Sequence, residues 1–139
     1  MDLSALDTSD MANAGAVLHL NGPTGQPLFE DDGETPVTIT LLGEDSDVVA
    51  KANNEAANRF LRSAMGATQQ ITAEVSKANE IKKFAAATVA WSGIVVDGQS
   101  VPCNAANAAV LYRRFSWIAD QIRLFISDRA NFLKPSPTA

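Results

Sequence analysis

Apolar and polar positions alternate along two short runs near the start of the chain. In "AVLHL", residues 16–20, Ala16, Leu18 and Leu20 alternate with Val17 and His19; in "PVTITLL", residues 36–42, Val37, Ile39 and Leu41 alternate with Thr38, Thr40 and Leu42. A period of two is that of a strand with one buried face, so the runs predict a small antiparallel sheet. Between them lie the turn-rich "NGPTGQP" and the acidic loop "EDDGE". Pro23, Pro27 and Pro36 stand at the margins, where a missing N–H does least harm to a ladder.

From residue 44 the spacing changes to three and four. Asp45 or Ser46 can cap a helix there, and Glu44, Asp45 and Asp47 suit the positive end of its macrodipole. Val49, Ala52, Ala56 and Phe60 form its stripe, widened by Ala57, Leu61 and Ala64, which predicts about five turns. Gly66 and the polar "ATQQ" predict a break or kink. The pattern resumes with Ile71, Val75 and Ala78, then Ile81, Ala85 and Val89, flanked by Phe84, Thr88 and Trp91. A second long helix is therefore expected to run up to "WSGIVVDGQSVPCN".

Within that stretch Gly93 is expected to stop the helix in a left-handed conformation, and Asp97-Gly98 is a strong hairpin turn signal. Ile94 or Val96 should face inward. Pro102 ends the return strand, and Asn104 is suited to cap the next helix. That helix has Ala108, Leu111, Tyr112 and Phe115 on one face. Ser116 interrupts, and Ile118, Ile122, Phe125, Ile126 and Leu133 form the stripe of the last helix, with Asp120 and Arg123 paired at i,i+3 on its outer side.

The expected fold is mainly α with a small β component (α+β): about four helices, short N-terminal antiparallel strands and a hairpin near residues 94–101. The chain is 139 residues long and 46% hydrophobic, enough for one domain with a real core. That domain is placed at 15–133, after a partly flexible N-terminal segment, 1–14, and before a disordered tail, 134–139, whose "KPSPTA" has no apolar anchor.

A net charge of -5 works against a general affinity for phosphate backbones. Lys82-Lys83, Arg113-Arg114, Arg123 and Arg129 are the only candidates for a local basic face, and they read as solvated helix faces. The start of the chain lacks the basic and apolar regions of a secretory signal, and no apolar run approaches the ~20 residues needed to cross a bilayer. The expectation is a soluble intracellular protein with no nucleic-acid or membrane partner.

Catalytic and metal chemistry is sparsely represented. One cysteine, Cys103, and one histidine, His19, cannot supply the three or four Cys or His ligands of an ordinary zinc site. His19 reads as the outward residue of a half-buried strand, and Cys103 as a small residue packed at a helix start. "AWSGI" lacks the first glycine of a nucleophile elbow, and "NGPTG" the lysine of a phosphate loop. Glu30, Asp31, Asp32 and Glu34 fail the alternating calcium-loop pattern and read as a solvated turn. No pair of carboxylates stands out for acid–base work. No cofactor, metal or catalytic residue is assigned, and the chain is read as a non-enzyme.

The remaining signal is aromatic. Trp91, Tyr112, Phe115, Trp117, Phe125 and Phe132 crowd the C-terminal half. Most belong in a core, while the rest, with the β-branched "IVV", can form an exposed apolar patch of the kind that marks a binding surface. The partner-binding candidates are Ile94, Val95, Val96, Trp117, Phe125 and Phe132.

The segment "VAWSGIVVDGQSVPCNAANAAVLYRRFSWIADQIRLFISDRANFL" resembles the tail assembly chaperones of long-tailed (siphovirus-type) bacteriophages. The likeness is carried by a Trp-x-Gly segment (Trp91, Gly93), a DG turn (Asp97, Gly98), an N-A-x-x-L-Y helix (Asn107, Ala108, Leu111, Tyr112) and a closing W-I-x-x-Q-I-x-x-F-I (Trp117, Ile118, Gln121, Ile122, Phe125, Ile126). "DLSALDT", "HLNGPTGQPL" and "PVTITLLGEDS" extend it over most of the chain. Ser116 stands where several relatives have a proline before the tryptophan, which softens the expected helix break.

The resemblance implies a chaperone domain that keeps the tape measure protein soluble in the host bacterial cytoplasm and helps recruit tail tube protein, without remaining in the mature virion. It also implies a frameshift-extended longer form, for which "FLKPSPTA" suits a flexible junction, and self-association into a homo-oligomer through the hairpin edge or an apolar helix face. The rival reading is a structural tail completion or connector protein of the virion. A hydrolase using clustered carboxylates and a DNA-binding regulator are the weaker alternatives.

Overall fold

A computed structural model describes residues 1–66 and 73–133 of the chain. The expected break near Gly66 is continued by residues 67–72, Ile71 among them, and these lie outside the described residues, as does the 134–139 tail. The fold is α+β and mainly helical. After a 3-10 turn at Leu3–Leu6 come α1 (Thr8–Ala14), β1 (Ala16–His19), β2 (Thr38–Leu41), α2 (Asp47–Gly66), α3 (Ala73–Ala87), β3 (Thr88–Ser92), β4 (Val95–Val96), β5 (Gln99–Ser100), α4 (Ala105–Arg114), α5 (Ser116–Ser127) and α6 (Ala130–Leu133).

β1 and β2 pair antiparallel as their alternation predicts, Leu18 opposite Ile39 and Ala16 opposite Leu41. Leu20, Val37, Ile39 and Leu41 are buried, and Val17 on the opposite face is exposed. The sheet has a third strand that the periodicity concealed. The helix expected to reach Trp91 ends at Ala87, and β3 pairs antiparallel with β2, Trp91 opposite Ile39, with a register shift between Thr40 and Leu41. Thr88 and Val89 are β-branched, and β2 offers them an open edge, so ladder bonds and β propensity override a spacing that also suits a helix. Thr88 Oγ1 donates to the Phe84 carbonyl at 2.7 Å, a local bond across the last turn of the helix.

The described residues contain six α-helices rather than about four. One addition is α1, inside the segment set apart at 1–14. Asp7 caps it through Ser9 N, and Ala12 is buried. The other arises because the last helix breaks at Asp128, whose carboxylate accepts from Ala130 N and starts α6. Leu133, expected on the buried stripe, is exposed, and Phe132 is buried in its place.

α4 and α5 meet at a single residue. Phe115, with φ -113° and ψ 82°, ends one helix and precedes the other, so the break forms without a proline. It allows Leu111 and Tyr112 on one side and Ile118, Ala119 and Ile122 on the other to enter one core with Leu20, Ile39, Leu41, Val49 and Phe84. Tyr112 is completely buried, its hydroxyl 2.6 Å from Thr88 Oγ1. Burial pushes its phenol above the ordinary range. Ser46 rather than Asp45 caps α2, its Oγ accepting from Val49 N at 3.3 Å. The first half of α2 buries Val49, whereas Phe60 and Leu61 farther along are exposed.

Candidate partner-binding groove

The hairpin β4–β5 turns on Asp97 (φ 51°) and Gly98 (φ 81°), the two positive values that a type I′ turn requires. It is too short to stand alone, and four contacts hold it. Trp91 Nε1 donates to the Val101 carbonyl at 2.7 Å, and Asn107 Nδ2 to the Pro102 carbonyl at 2.9 Å. Asn104 caps α4 through Asn107 N, as expected. Arg114 grips Asp97 through two hydrogen bonds of 2.9 and 3.2 Å and lies 5.2 Å from the centre of the Phe115 ring. Gly93 does adopt a left-handed conformation (φ 81°), but it follows β3 rather than ending a helix. The side chain of Glu30 lies so close that a Cβ on Gly93 would come within 2.8 Å of its Cγ.

The facing wall is the connection from β1 to β2. Leu28 N donates to the Leu20 carbonyl, Val37 N to that of Leu28, and Leu20 N to that of Val37, so the three apolar residues form a compact corner. His19 Nε2 donates to the Leu28 carbonyl at 2.7 Å, and its ring meets Phe29 edge-on at 5.2 Å. His19 is thus partly buried and tied to backbone. The corner is fastened to α5 by Gln121, which accepts from Asn21 N at 2.8 Å and donates to the Asn21 carbonyl at 2.7 Å.

Between these walls lies an apolar groove of about 250 Å³, lined by Leu20, Leu28, Phe29, Val37, Gly93, Ile94, Val95, Val96, Leu111, Phe115, Trp117 and Ile118. Phe115 and Trp117 meet edge-on at 6.0 Å along one side. At Phe29, Gly93 and Val95 the groove opens into a second hollow of about 340 Å³ bordered by Glu30, Asp31 and Asp32. Asp32 accepts from Glu34 N, Thr35 N and the Thr35 hydroxyl, and these bonds, the hydroxyl's first, hold its carboxyl below the ordinary carboxylate range. Among the described residues no Lys or Arg pairs with Glu30, Asp31, Asp32 or Glu34. Nor is any group of three or more His, Cys, Asp or Glu among them arranged to hold a metal.

Four basic residues are engaged elsewhere. Lys83 pairs with Glu44, Arg114 with Asp97, Arg123 with both Glu80 and Asp120, and Arg129 with Asp45. Four of the six positions considered for a basic face are thus balanced by carboxylates. The expected Asp120–Arg123 pair is present at 2.9 Å.

The groove gathers four of the six candidate residues, in different postures. Val95 is exposed, Val96 and Trp117 are half-buried, and Ile94 is turned into the core. Phe125 and Phe132 lie outside it. Their rings meet edge-on at 5.6 Å, and Phe132 is buried against Gly43, so this pair serves as packing between α5, α6 and the start of α2. Leu28 and Phe29 are lining residues that periodicity did not single out. "PLF" offered a hint, an apolar pair in a turn-rich segment with no strand of its own. Cys103, expected to pack at a helix start, is exposed. No protein-family model matches this chain, nor does any curated protein or solved structure.

Proposed function

We propose that this chain is a phage tail assembly chaperone, binding the tape measure protein in the host bacterial cytoplasm and keeping it soluble while tail tube subunits are recruited. The observation that carries the reading is the open apolar groove between the β4–β5 hairpin and the 20–37 corner, with Val95, Val96 and Trp117 at its surface. A long amphipathic client exposes apolar stripes that aggregate, and a groove of this kind covers such a stripe by accepting side chains at helical spacing. The net charge of -5 keeps the resulting complexes mutually repelling. The motifs that carry the resemblance also converge here: Trp91, Asn107 and Gln121 fasten the two walls, and Asp97-Gly98 turns the hairpin.

Coexpression with the tape measure protein of the same genome tests the proposal, with and without a frameshift-extended form of this chain. Coelution of a client that is insoluble alone is the expected result. A client equally insoluble with both forms present, together with recovery of the chain from purified mature particles, would replace this reading with a structural tail completion or connector protein.

A further inference from the structure

We infer that the groove takes a segment of a partner polypeptide in which a large apolar side chain lies beside one or two lysines or arginines. The apolar group enters against Leu28, Val96 and Trp117, and the cation meets Glu30 and Asp31. The inference deepens the chaperone reading and rests on it for the partner's identity. Its chemistry follows from the site.

The apolar part, about 250 Å³, falls below the roughly 300–1,000 Å³ of pockets that enclose a whole small ligand. It suits one or two side chains delivered by a chain that continues past the site. Its two ends differ electrically. At the hairpin turn, Asp97 and Arg114 neutralise each other above Phe115. At the other end Glu30 and Asp31 have no cationic partner among the described residues.

Glu30 sits over Gly93, where the apolar groove and the acidic hollow join. An occupant that reaches Gly93 strips water from its carboxylate. An uncharged occupant leaves that charge desolvated and unpaired, which is unfavourable, and an acidic one adds repulsion. A cation next to the apolar anchor removes both penalties. The asymmetry also fixes direction, with the basic end of the segment toward residues 30–32.

The experiment uses the full chain and short overlapping peptides spanning the tape measure protein of the same genome, with binding followed by fluorescence anisotropy. The peptides that bind should combine large apolar residues with Lys or Arg and weaken as salt is raised. They should lose about tenfold or more in affinity to a Glu30→Lys, Asp31→Lys variant. Asp31→Lys alone, at an exposed position, is the control against a folding defect, and its melting temperature should match that of the unaltered chain. Bound peptides without basic residues, or with affinity indifferent to both variants, would overturn the inference and leave the chaperone reading standing. Failure of every peptide and of the whole client to bind would overturn both. A concentration-dependent dimer that Val96→Arg abolishes and that peptides fail to displace would assign the groove to a second copy and overturn the inference as well.

Discussion

The carboxamide of Gln121 closes a ring of two hydrogen bonds with the backbone of Asn21, at 2.8 and 2.7 Å, across 100 residues of sequence. No other amide-to-backbone pairing ties the 20–37 corner to α5 among the described residues, and the Trp117 carbonyl accepts a further 3.2 Å bond from the same side chain. Gln121→Ala removes all three bonds. Because Asn21 is exposed, water replaces part of what is lost, and the expected cost is about 1–2 kcal/mol of stability. Denaturant titration should show a lower midpoint with an unchanged slope. Gln121→Glu keeps the acceptor but not the donor and should fall between the two.

Tyr112 offers a sharper contrast within the core. Its hydroxyl and that of Thr88 are 2.6 Å apart at the join of α3 and β3, the tyrosine completely buried and the threonine half-buried. Tyr112→Phe keeps the ring and leaves Thr88 its bond to the Phe84 carbonyl. Its expected cost is about 1 kcal/mol. Tyr112→Ala opens a cavity at a completely buried position and should cost about 3–5 kcal/mol, enough to unfold a marginal domain. Thermal unfolding of the two variants separates the hydrogen bond from the packing.

The two left-handed glycines around the hairpin differ in surroundings and should differ in sensitivity. A Cβ on Gly98 meets nothing within 4 Å, so Gly98→Ala bears only the conformational penalty, about 1 kcal/mol. A Cβ on Gly93 meets the same backbone penalty together with Glu30 at 2.8 Å and Val37 at 3.3 Å. Gly93→Ala should therefore cost more than Gly98→Ala by denaturant titration. It should also displace Glu30 from the junction of the groove, seen as altered peptide affinity even where the fold survives.

What the residues disclosed in advance was local. The β1–β2 pairing and its buried face follow from a period of two, the hairpin from Asp97-Gly98, and the α4 cap from Asn104, since each is settled by a few adjacent side chains. β3 was hidden because Ile81, Ala85 and Val89 continue a helical spacing; only the open edge of β2, distant in sequence, decides the matter. The short helices α1 and α6 have too few turns to show a period. The groove was half visible. "IVV" and Trp117 pointed toward it, but its second wall comes from residues 20–37, whose apolar members have no periodic signature. Phe125 and Phe132 looked equivalent to Trp117, but they pack against each other outside the groove, Phe132 buried and Phe125 half-buried.

Acid should loosen the junction of α1, α2 and α6. Asp45 bonds Arg129 at 2.6 and 3.0 Å and accepts from the Thr8 hydroxyl at 2.6 Å. These bonds, Arg129's first, hold its carboxyl below the ordinary value near 3.8. A depressed carboxyl stabilises the fold fully above its unfolded value and loses that contribution as the pH falls through the folded one. Stability should therefore drop on acidification below about pH 4, with other depressed carboxylates adding to it. Arg129→Ala should flatten the part of that dependence due to Asp45. An identical pH profile in the variant would remove Asp45 from the account.

The hairpin separates stability from binding within three residues. Ile94 is 8% exposed and Val95 59%. Ile94→Ala deletes buried methyl groups from the core and should destabilise by about 2–4 kcal/mol. Val95→Asp changes a surface position and should stay within about 0.5 kcal/mol of the unaltered chain. The functional order is reversed. A carboxylate at 95 places a new negative charge and a hydration shell on the rim shared by the apolar groove and the acidic hollow. An apolar anchor must displace that water, so client coelution should be lost while the melting temperature holds. Retained coelution with Val95→Asp and Val96→Asp together would move the client contact away from this hairpin, to surfaces such as the exposed Phe60 and Leu61 of α2.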